Sequence, residues 1–292
     1  MNVDSLSRVA LEDWGVMRLT GADAVTFLQG QLSNDMSRLV GDTSVLAGYH
    51  NPQGRAIALL RLVRSGSGDV LAVLPRELIP DVMTRLRKFI LRAKVAVTDA
   101  SNDFRVIGLS AASEPVRKAT SEDLSWIRVE GPDDRWIVVA PSEALAAFAD
   151  YAEEERASWA QRDVEMGIPQ IYTATSEAFV AQMLNLDVLN GIAFDKGCYT
   201  GQEVIARAHY RGRVKRRLQR FRSVGAVTLA RGDSGQLSDG RTFKVVEAIA
   251  LPDGRCEFLA VAATSVANEE PAESPTQAIS AEGLPLPYPL PE

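Results

Sequence analysis

The chain has 292 residues, of which 46% are hydrophobic and 24% are charged, a balance typical of a folded globular protein. No apolar run reaches the roughly 18 to 20 residues that a membrane-spanning helix needs, so no membrane association is expected. The formal net charge of −6 argues against a protein that coats nucleic acid, and an anionic ligand would have to be met by a local cluster of basic residues.

Cysteine content and the N-terminal residues indicate the compartment. The two cysteines, Cys198 and Cys256, are too few for a disulfide framework, which is typical of a reducing environment. The first residues also lack the apolar region of a secretory signal. We therefore expect a cytoplasmic protein, and we interpret Cys256 as a small buried side chain of the last domain.

The first third of the chain combines strands and helices. Alternating residues predict a strand over 14–19, and a helix with a capping-box-like spacing from Thr20 to Asp23 follows. Strands over 44–49, 56–64 and 69–74 are joined by short glycine-containing turns, which predict antiparallel pairing. Apolar residues recurring every three and four positions predict a helix over 76–90. A polar patch over 29–35 is interpreted as a solvated helix end or, alternatively, as the lining of a ligand cavity.

The middle of the chain continues this alternation. Strands are predicted over 95–98, 105–110, 126–129 and 136–139, and a helix is predicted after Pro141 with Leu145, Phe148 and Ala152 on one side. Hairpins alternating with helices indicate an α+β domain of split ferredoxin-like character. A further helix is predicted over 158–166, with Gly167 as the residue that ends it.

The last part of the chain is predicted to be a small all-β domain followed by a tail. Strands are predicted over 216–224, 235–237, 244–250 and 256–264. Six of the 14 prolines lie beyond residue 267, and this composition predicts a disordered or extended tail that buries no core. Residues 284–290 are apolar enough to dock back on the body in polyproline conformation.

Between these regions, residues 195–217 hold one of the two cysteines, one of the two histidines and a dense run of arginine and lysine. Thr200 and Glu203 have the spacing of a capping box and predict a helix start. Cys198 would then lie just outside a helix N-terminus and two residues from Lys196, and both features lower the pKa of a thiol. Cys198 is therefore a candidate reactive or metal-binding sulfur, and a small buried hydrophobic side chain is the alternative.

A run of basic residues follows Cys198, and it has three interpretations. The first is a linker and an edge strand kept soluble by charge. The second is a cleft in which one or two arginines bind a carboxylate. The third is a nucleic-acid surface on which Tyr210 and His209 stack bases. We rank them in this order. The run comprises Arg207, Arg211, Arg213, Lys215, Arg216, Arg217 and Arg220.

Motifs of the common enzyme classes are absent from the sequence. It contains no P-loop, no dinucleotide-binding fingerprint, no HExxH, no GxSxG and no CxxC. This argues against the usual nucleotide-binding, hydrolase and zinc classes.

The string KGCYTGQE, followed by VIARAHYRGRVKRR, resembles the signature of the YgfZ family of folate-binding iron–sulfur assembly factors. The resemblance extends upstream through MGIPQIYTATSEAFVAQMLNLD and includes LTGADAVTFLQGQLSND near the N-terminus. Ala181 stands where relatives often have proline. The family is similar in fold to the T-protein of the glycine cleavage system, an aminomethyltransferase.

This resemblance implies an α+β, three-domain ring of the aminomethyltransferase (GcvT-like) type around a hole that holds tetrahydrofolate. Residues 1–45 and 160–212 would form the N-terminal folate-binding domain, and residues 46–159 an inserted ferredoxin-like domain. Residues 213–267 would form a C-terminal antiparallel β-barrel, followed by a Pro-rich tail over 268–292.

One departure bears on catalysis. The T-protein has an aspartate on the strand after the turn that matches residues 51–54, but here the strand reads RAIALL, with Ala58 and Leu59 at that place. Without this carboxylate, aminomethyl transfer is not expected, so the prediction leans against an enzyme. Folate binding can survive, because the resemblance places the pterin and glutamate contacts elsewhere.

The resemblance also implies site residues. Glu165 matches the glutamate that contacts the pterin ring, Gln182 and Asn185 match cavity-lining positions, and Lys196 and Arg207 would shape the mouth and attract the anionic folate tail. Cys198 would be the functional thiol. It is also a candidate ligand of an iron–sulfur cluster, shared with a partner because one thiolate cannot hold such a cluster alone. The motif residues Tyr199, Gln202 and Glu203 complete the predicted cofactor-binding set.

These features predict an accessory protein that binds tetrahydrofolate or a one-carbon derivative. It would support the assembly or repair of iron–sulfur enzymes, including those that modify tRNA. The expected partners are folate and iron–sulfur client enzymes or assembly proteins, whereas direct nucleic-acid binding is not expected. The alternatives are a folate-dependent aminomethyltransferase or other one-carbon transferase, and a tRNA-binding module.

Overall fold

The computed structural model describes residues 6–110, 124–129, 134–266 and 277–291. Their first part forms ten strands: β1 (Ser7–Ala10), β2 (Trp14–Thr20), β3 (Val45–His50), β4 (Ala56–Arg64), β5 (Val70–Pro75), β6 (Ala96–Asp99), β7 (Phe104–Ser110), β8 (Ser125–Arg128), β9 (Arg135–Pro141) and β10 (Ala152–Glu153). Three helices accompany them: α1 (Ala24–Gln29), α2 (Ile79–Arg87) and α3 (Arg156–Met166). The strands and helices that the sequence predicts here are confirmed to within a few residues, apart from the helix after Pro141.

The first sheet is antiparallel and has the order β3-β4-β5-β2-β6. Both faces of its central strands are buried, since every residue of β4 except Arg64 is buried, as is every residue of β5. One face packs on α1, α2 and residues 179–205, and the other face packs on the second sheet. The short turns after β3 and β4 place consecutive strands side by side, as predicted.

The second sheet has the order β10-β1-β7-β9-β8 and is antiparallel except for the β1–β10 pair. It shares a core with the first sheet, in which Trp14 and Val73 meet Val106 and Trp159. Strands β1 and β2 belong to different sheets, and both pair with strands beyond residue 45.

Two local predictions in this half are wrong. Helix α1 has no side-chain cap, because the Asp23 carboxylate accepts instead from the backbone N–H of Lys94 at 2.6 Å. The helix predicted after Pro141 is a 3-10 helix, Ser142–Phe148, and Ala152 pairs with Ser7 of β1 as a strand. In both places a partner distant in sequence outweighs the local preference.

The last part of the chain forms α4 (Gln202–Tyr210), β11 (Arg216–Ser223), β12 (Ser234–Leu237), β13 (Thr242–Ala250), β14 (Cys256–Ala263), β15 (Gln277–Ile279) and β16 (Ala281–Leu284). The six strands make a barrel-like sheet of order β15-β12-β13-β14-β11-β16, antiparallel except for the β12–β15 pair. The four predicted strands are confirmed.

The prediction that the tail buries no core is wrong for its described residues. Strands β15 and β16 extend the third sheet at both edges, and Ile279 is buried in its core. Leu286 and Tyr288 pack against the core of the first sheet, so the predicted docking of residues 284–290 is confirmed. The apolar residues of the tail therefore complete cores that the rest of the chain leaves open.

No helix in the described ranges is long and apolar enough to cross a membrane.

Candidate functional site

The segment before α4 is anchored by Lys196. Its ammonium group donates to the backbone carbonyls of Gln29, Leu32 and Asn34 at 2.7, 2.6 and 2.8 Å. Burial lowers the pKa of Lys196 to about 8, while the charge of Asp35 opposes that shift. The polar patch over 29–35 therefore binds this lysine, whose ammonium is already engaged within the protein.

Tyr199 forms a second anchor. Its side chain is buried, its ring lies 5.1 Å from the Lys196 Nζ, and burial raises its pKa to about 12. The ring centroid lies 6.5 Å from that of His50, the last residue of β3. Lys196 and Tyr199 together fix the backbone on either side of Cys198.

Cys198 lies between these anchors, and its side chain is exposed. The interpretation of Cys198 as a buried hydrophobic side chain is therefore wrong, whereas the prediction that Cys256 is buried is confirmed. Among the described residues, no group of three or more histidines, cysteines, aspartates or glutamates is placed to hold a metal ion.

Helix α4 begins after Gly201, and the predicted capping box does not form. Gly201 is the N-cap residue, has a φ of +83° and provides no side-chain cap. A Cβ atom at this position would lie 2.6 Å from the carbonyl oxygen of Asn51 and 3.0 Å from the Cα of Gly54. Close contact with the β3–β4 turn determines this helix start, because only glycine permits both the backbone angle and the approach.

A buried polar cluster lies beneath α4. The guanidinium of Arg217 donates to both carboxylate oxygens of Asp187 at 2.9 Å, and also to the carbonyl of Gln182 at 3.2 Å. Asn185, whose φ is +56°, donates to the Leu218 carbonyl at 3.0 Å. The predicted cavity residues Gln182 and Asn185 are thus brought together, with an ion pair beside them.

Gln182 has an unused hydrogen-bond acceptor. Its side chain is 1% exposed, and its Nε2 donates to the Ile205 carbonyl at 2.6 Å. Its Oε1 is buried and has no partner in the described part of the chain. Gln182 lines a cavity of about 240 Å³ with Asp187, His209, Arg213, Arg217 and Pro291. A buried amide oxygen without a partner is costly, so it favours a ligand that offers an N–H group.

Glu165 lies near this cluster, at the end of α3. Its carboxylate accepts from Gln161 at 3.0 Å and is partly exposed. The predicted end of the helix at Gly167 is confirmed, with a φ of +66°. The Tyr288 hydroxyl donates to the Gly167 carbonyl at 2.6 Å and accepts from Asn185 at 3.4 Å. The C-terminal segment thereby joins the turn after Glu165 to the buried cluster.

The remaining predicted cofactor residues lie elsewhere. The backbone N–H of Gln202 donates to the Tyr199 carbonyl at 3.2 Å, and Glu203 and Arg207 are exposed along α4. Glu203 and Arg207 line a separate surface depression of about 550 Å³. The predicted set thus occupies three places: the buried cluster with Glu165 nearby, the anchored segment, and the outer face of α4.

Ala58 and Leu59, at the place of the T-protein carboxylate, are completely buried in β4. Ala58 pairs with Tyr49 of β3, and β4 carries no aspartate or glutamate.

Sequence reasoning missed the Asp187–Arg217 ion pair, the buried His50 and the role of Tyr288. A signal existed for Asp187, because it is the one charged residue in the largely apolar string MLNLDVLNGI, and a buried charge there needs a partner. No local signal separates Arg217 from its basic neighbours. Tyr288 follows a segment that its composition alone assigns to an unstructured tail.

The chain is similar to known proteins in both sequence and structure. No family model matches the chain. A tRNA-modifying protein YgfZ of Yersinia pestis (strain Pestoides F) is 32% identical over 315 aligned positions, which cover 98% of this chain and 94% of the relative. A protein of the same name from Yersinia enterocolitica serotype O:8 is 33% identical over 314 positions with the same coverage.

Among solved structures, the glycine cleavage system aminomethyltransferase T of Bartonella henselae matches with a TM-score of 0.67 at 14% identity. The match covers 90% of this chain and 86% of the enzyme. The α+β architecture with three sheets is therefore the aminomethyltransferase fold, as the sequence predicts.

Proposed function

This chain belongs to the YgfZ family, and from that premise we propose that it is a tetrahydrofolate-binding accessory protein that supports the assembly or repair of iron–sulfur enzymes. The clients would include enzymes that modify tRNA, in line with the name that its relatives carry. The connection to tRNA is indirect in this proposal and passes through the client enzymes.

The observation that carries the folate proposal is the buried amide oxygen of Gln182, which has no partner among the residues that the structure describes. Gln182 lines the cavity, and the edge of a pterin ring offers N–H donors that match its Oε1, which has no partner among the described residues. At about 240 Å³ the cavity is smaller than the roughly 300–1,000 Å³ typical of ligand sites, so it suits one end of the cofactor. Glu165 lies beyond Tyr288 and would complete the contacts. Bound tetrahydrofolate would supply one-carbon chemistry.

The exposed thiol of Cys198 supports the accessory role. Lys196 and Tyr199 hold the backbone on both sides, so the sulfur is presented to solvent from a fixed position. A single accessible thiolate suits transient ligation of a partner's cluster or reversible thiol chemistry, rather than permanent storage of a cluster.

A one-carbon transferase is less well supported. It needs a carboxylate free to act on the substrate amine, and β4 carries none. Asp187 lines the cavity, but both of its oxygens accept hydrogen bonds from Arg217. With both oxygens occupied by Arg217, the Asp187 carboxylate is not free to act on a substrate amine.

Calorimetric titration with tetrahydrofolate tests the cofactor. We expect micromolar binding by the wild type and by Cys198→Ala, because the thiol is outside the cavity. Gln182→Met keeps the side-chain volume but removes the Oε1 acceptor together with the Nε2 donor to Ile205, so its affinity should fall by about fivefold or more. Absence of binding in all three proteins would remove folate from this proposal. Equal binding by Gln182→Met and the wild type would place the pterin elsewhere.

A cellular assay tests the thiol. Cells that lack the gene would be complemented with each variant, and the activity of an iron–sulfur enzyme would be measured in extracts. Cys198→Ala should give no complementation although it folds and binds tetrahydrofolate. Cys256→Ala is the matched control, because it removes the other thiol from a buried position, and it should complement fully. Full complementation by Cys198→Ala would refute the role of this thiol.

A further inference from the structure

The basic run is divided by the structure into two sets of residues. Arg217 and Arg220 form ion pairs with Asp187 and Glu257, and Arg216 donates to Thr242. Arg222, which follows the run, also pairs with Glu257. These four arginines stabilise the third sheet and its contact with the buried cluster. Their charges are therefore used inside the molecule.

The second set is exposed and unpaired. Arg207, Arg211, Arg213 and Lys215 are exposed, and their side chains make no ion pair or hydrogen bond within the described ranges. Together with Tyr210, we call these residues the basic face, of which Arg213 also lines the cavity beside Gln182. Four uncompensated cations within nine residues, in a chain of net charge −6, form a strong local positive patch. Such a patch attracts an anionic partner at close range.

An aromatic side chain lies within this patch. Tyr210 is 67% exposed, and its ring contacts the edges of His209 and Phe194, with centroid distances of 4.7 and 6.1 Å. His209 and Phe194 are themselves stacked at 3.7 Å. The exposed ring is thus held in place before any partner arrives. Tyrosine and arginine dominate the binding energy of protein interfaces, and a fixed ring loses little entropy on binding.

The surface next to Tyr210 is concave. A depression of about 550 Å³ is lined by Glu203, Ala206, Arg207, Tyr210 and Arg211. Glu203 is the only acidic residue in the lining and lies at the end of α4 nearer to Cys198. Anionic groups would therefore bind towards Arg207 and Arg211, and the depression can receive a side chain from a partner.

We propose that the basic face docks an acidic segment of the partner protein and so brings that partner to Cys198. Cys198 is exposed and precedes α4 by four residues, on the same connected segment as the basic face. This inference rests on the proposed function, because it identifies the chemistry of the iron–sulfur partner on which the thiol acts.

A protein segment fits this surface better than RNA does. An RNA strand carries one negative charge per nucleotide and would extend beyond four cations into the field of a molecule with net charge −6. A short acidic segment places its charges only where the cations are. RNA remains a measurable outcome of the experiment below.

Fluorescence anisotropy tests the docking with a fluorescein-labelled oligoglutamate peptide as the probe. Tyr210→Ala/Arg211→Glu removes the exposed ring and reverses one charge of the basic face. The matched control is Phe89→Ala/Arg92→Glu, which likewise replaces an aromatic ring by alanine and an arginine by glutamate at exposed residues after α2, where Phe89 is 50% exposed. Both variants alter surface side chains, and circular dichroism would establish that they fold.

We expect the wild type and the control to bind oligoglutamate equally, and the basic-face variant to bind at least about tenfold more weakly. Oligoglutamine of the same length should not bind. Equal oligoglutamate binding by the two variants would overturn the proposal. Tighter binding of single-stranded oligouridylate than of oligoglutamate, lost in the basic-face variant, would assign the surface to RNA instead.

The complementation assay distinguishes a failure of the docking surface from a failure of the proposed function on which it rests. The basic-face variant should bind tetrahydrofolate like the wild type but fail to support the iron–sulfur enzyme, while the control variant supports it. If the wild type binds no folate and Cys198→Ala complements, the proposed function fails. If both of those tests succeed and the basic-face variant complements fully, only the docking surface is refuted.

Discussion

His50 is completely buried at the end of β3, and neither of its ring nitrogens has a hydrogen-bond partner among the described residues. Its ring occupies the space that a side chain at Gly48 would need, since a Cβ atom there would lie 2.2 Å from the ring. Burial lowers the pKa of His50 from 6.5 to about 4, because a charged imidazolium would lose its hydration, and the neighbouring Gly48 backbone offsets this only in part. His50 is thus an uncharged, buried side chain whose ring lies next to that of Tyr199.

This burial predicts a specific pH dependence of stability. Between the folded pKa of about 4 and the unfolded value of 6.5, the unfolded chain binds more protons, so stability falls as pH falls through that window. From about pH 7 to about pH 5, the His50 contribution to the free energy of unfolding should drop by about 2 kcal/mol. Urea unfolding at both pH values would measure it.

The control is His50→Leu, which has a similar volume and no titratable group. Carboxylates elsewhere lose stability equally in both proteins, so the wild type should lose about 2 kcal/mol more than His50→Leu over this pH interval. Equal losses would mean that His50 is not buried in its neutral form.

At the scale of elements, the contact between the β3–β4 turn and the start of α4 determines where Cys198 lies. Gly54 and Gly201 both have positive φ values, +72° and +83°. A Cβ atom at Gly54 would lie 3.0 Å from the Cβ of Val204, so the turn and the helix meet with no room for side chains. The backbone angles and the packing are two independent requirements for glycine at this junction.

Gly201→Ala should therefore be strongly destabilising. The positive φ costs about 1–2 kcal/mol, and the approach to the Asn51 carbonyl adds to it, so we expect a loss of at least about 2 kcal/mol in the free energy of unfolding. Gly197→Ala is the control within the same segment, because its added Cβ atom would have no heavy atom within 4 Å and its φ lies outside the left-handed region. If the two variants unfold at the same urea concentration, the turn does not determine the helix start.

At the scale of the whole molecule, the C-terminal segment connects the third sheet to the first. Strand β16 covers the edge of β11, and Leu286 and Tyr288 pack against the core of the first sheet. The Tyr288 hydroxyl group is hydrogen-bonded to both Gly167 and Asn185, and burial raises the pKa of Tyr288 to about 12. The tail is thus a structural part of the body.

A chain that ends at residue 280 should lose several kcal/mol of stability, because it exposes the apolar surface under Leu286 and Tyr288 and leaves β11 as a free edge. Tyr288→Phe removes only the hydroxyl group and should cost about 1 kcal/mol. Chemical denaturation of both proteins beside the full chain would measure these losses. A truncated chain as stable as the full chain would show that the tail is not part of the folded core.

The sequence alone determined most of the strands and helices, because alternation and helical periodicity reflect burial on one face and are local properties. It did not predict β1, β10, β15 or β16, which pair with strands distant in sequence. Its motifs also indicated the family and the aminomethyltransferase fold. It failed at the capping boxes of α1 and α4, where Asp23 binds Lys94 and where Gly201 packs on the β3–β4 turn. Spacing shows which groups can meet locally, but it cannot show that a distant partner competes for them.

Only the tertiary structure decided which charges are free. Lys196, expected at the mouth of a cavity, is bound to carbonyls more than 160 residues away in sequence. Arg217 is paired and buried, whereas Arg211 is exposed and unpaired in the described structure, although both belong to one basic run. The reason is physical: the field at a side chain depends on neighbours in space, and the fold assembles those neighbours from separate parts of the chain.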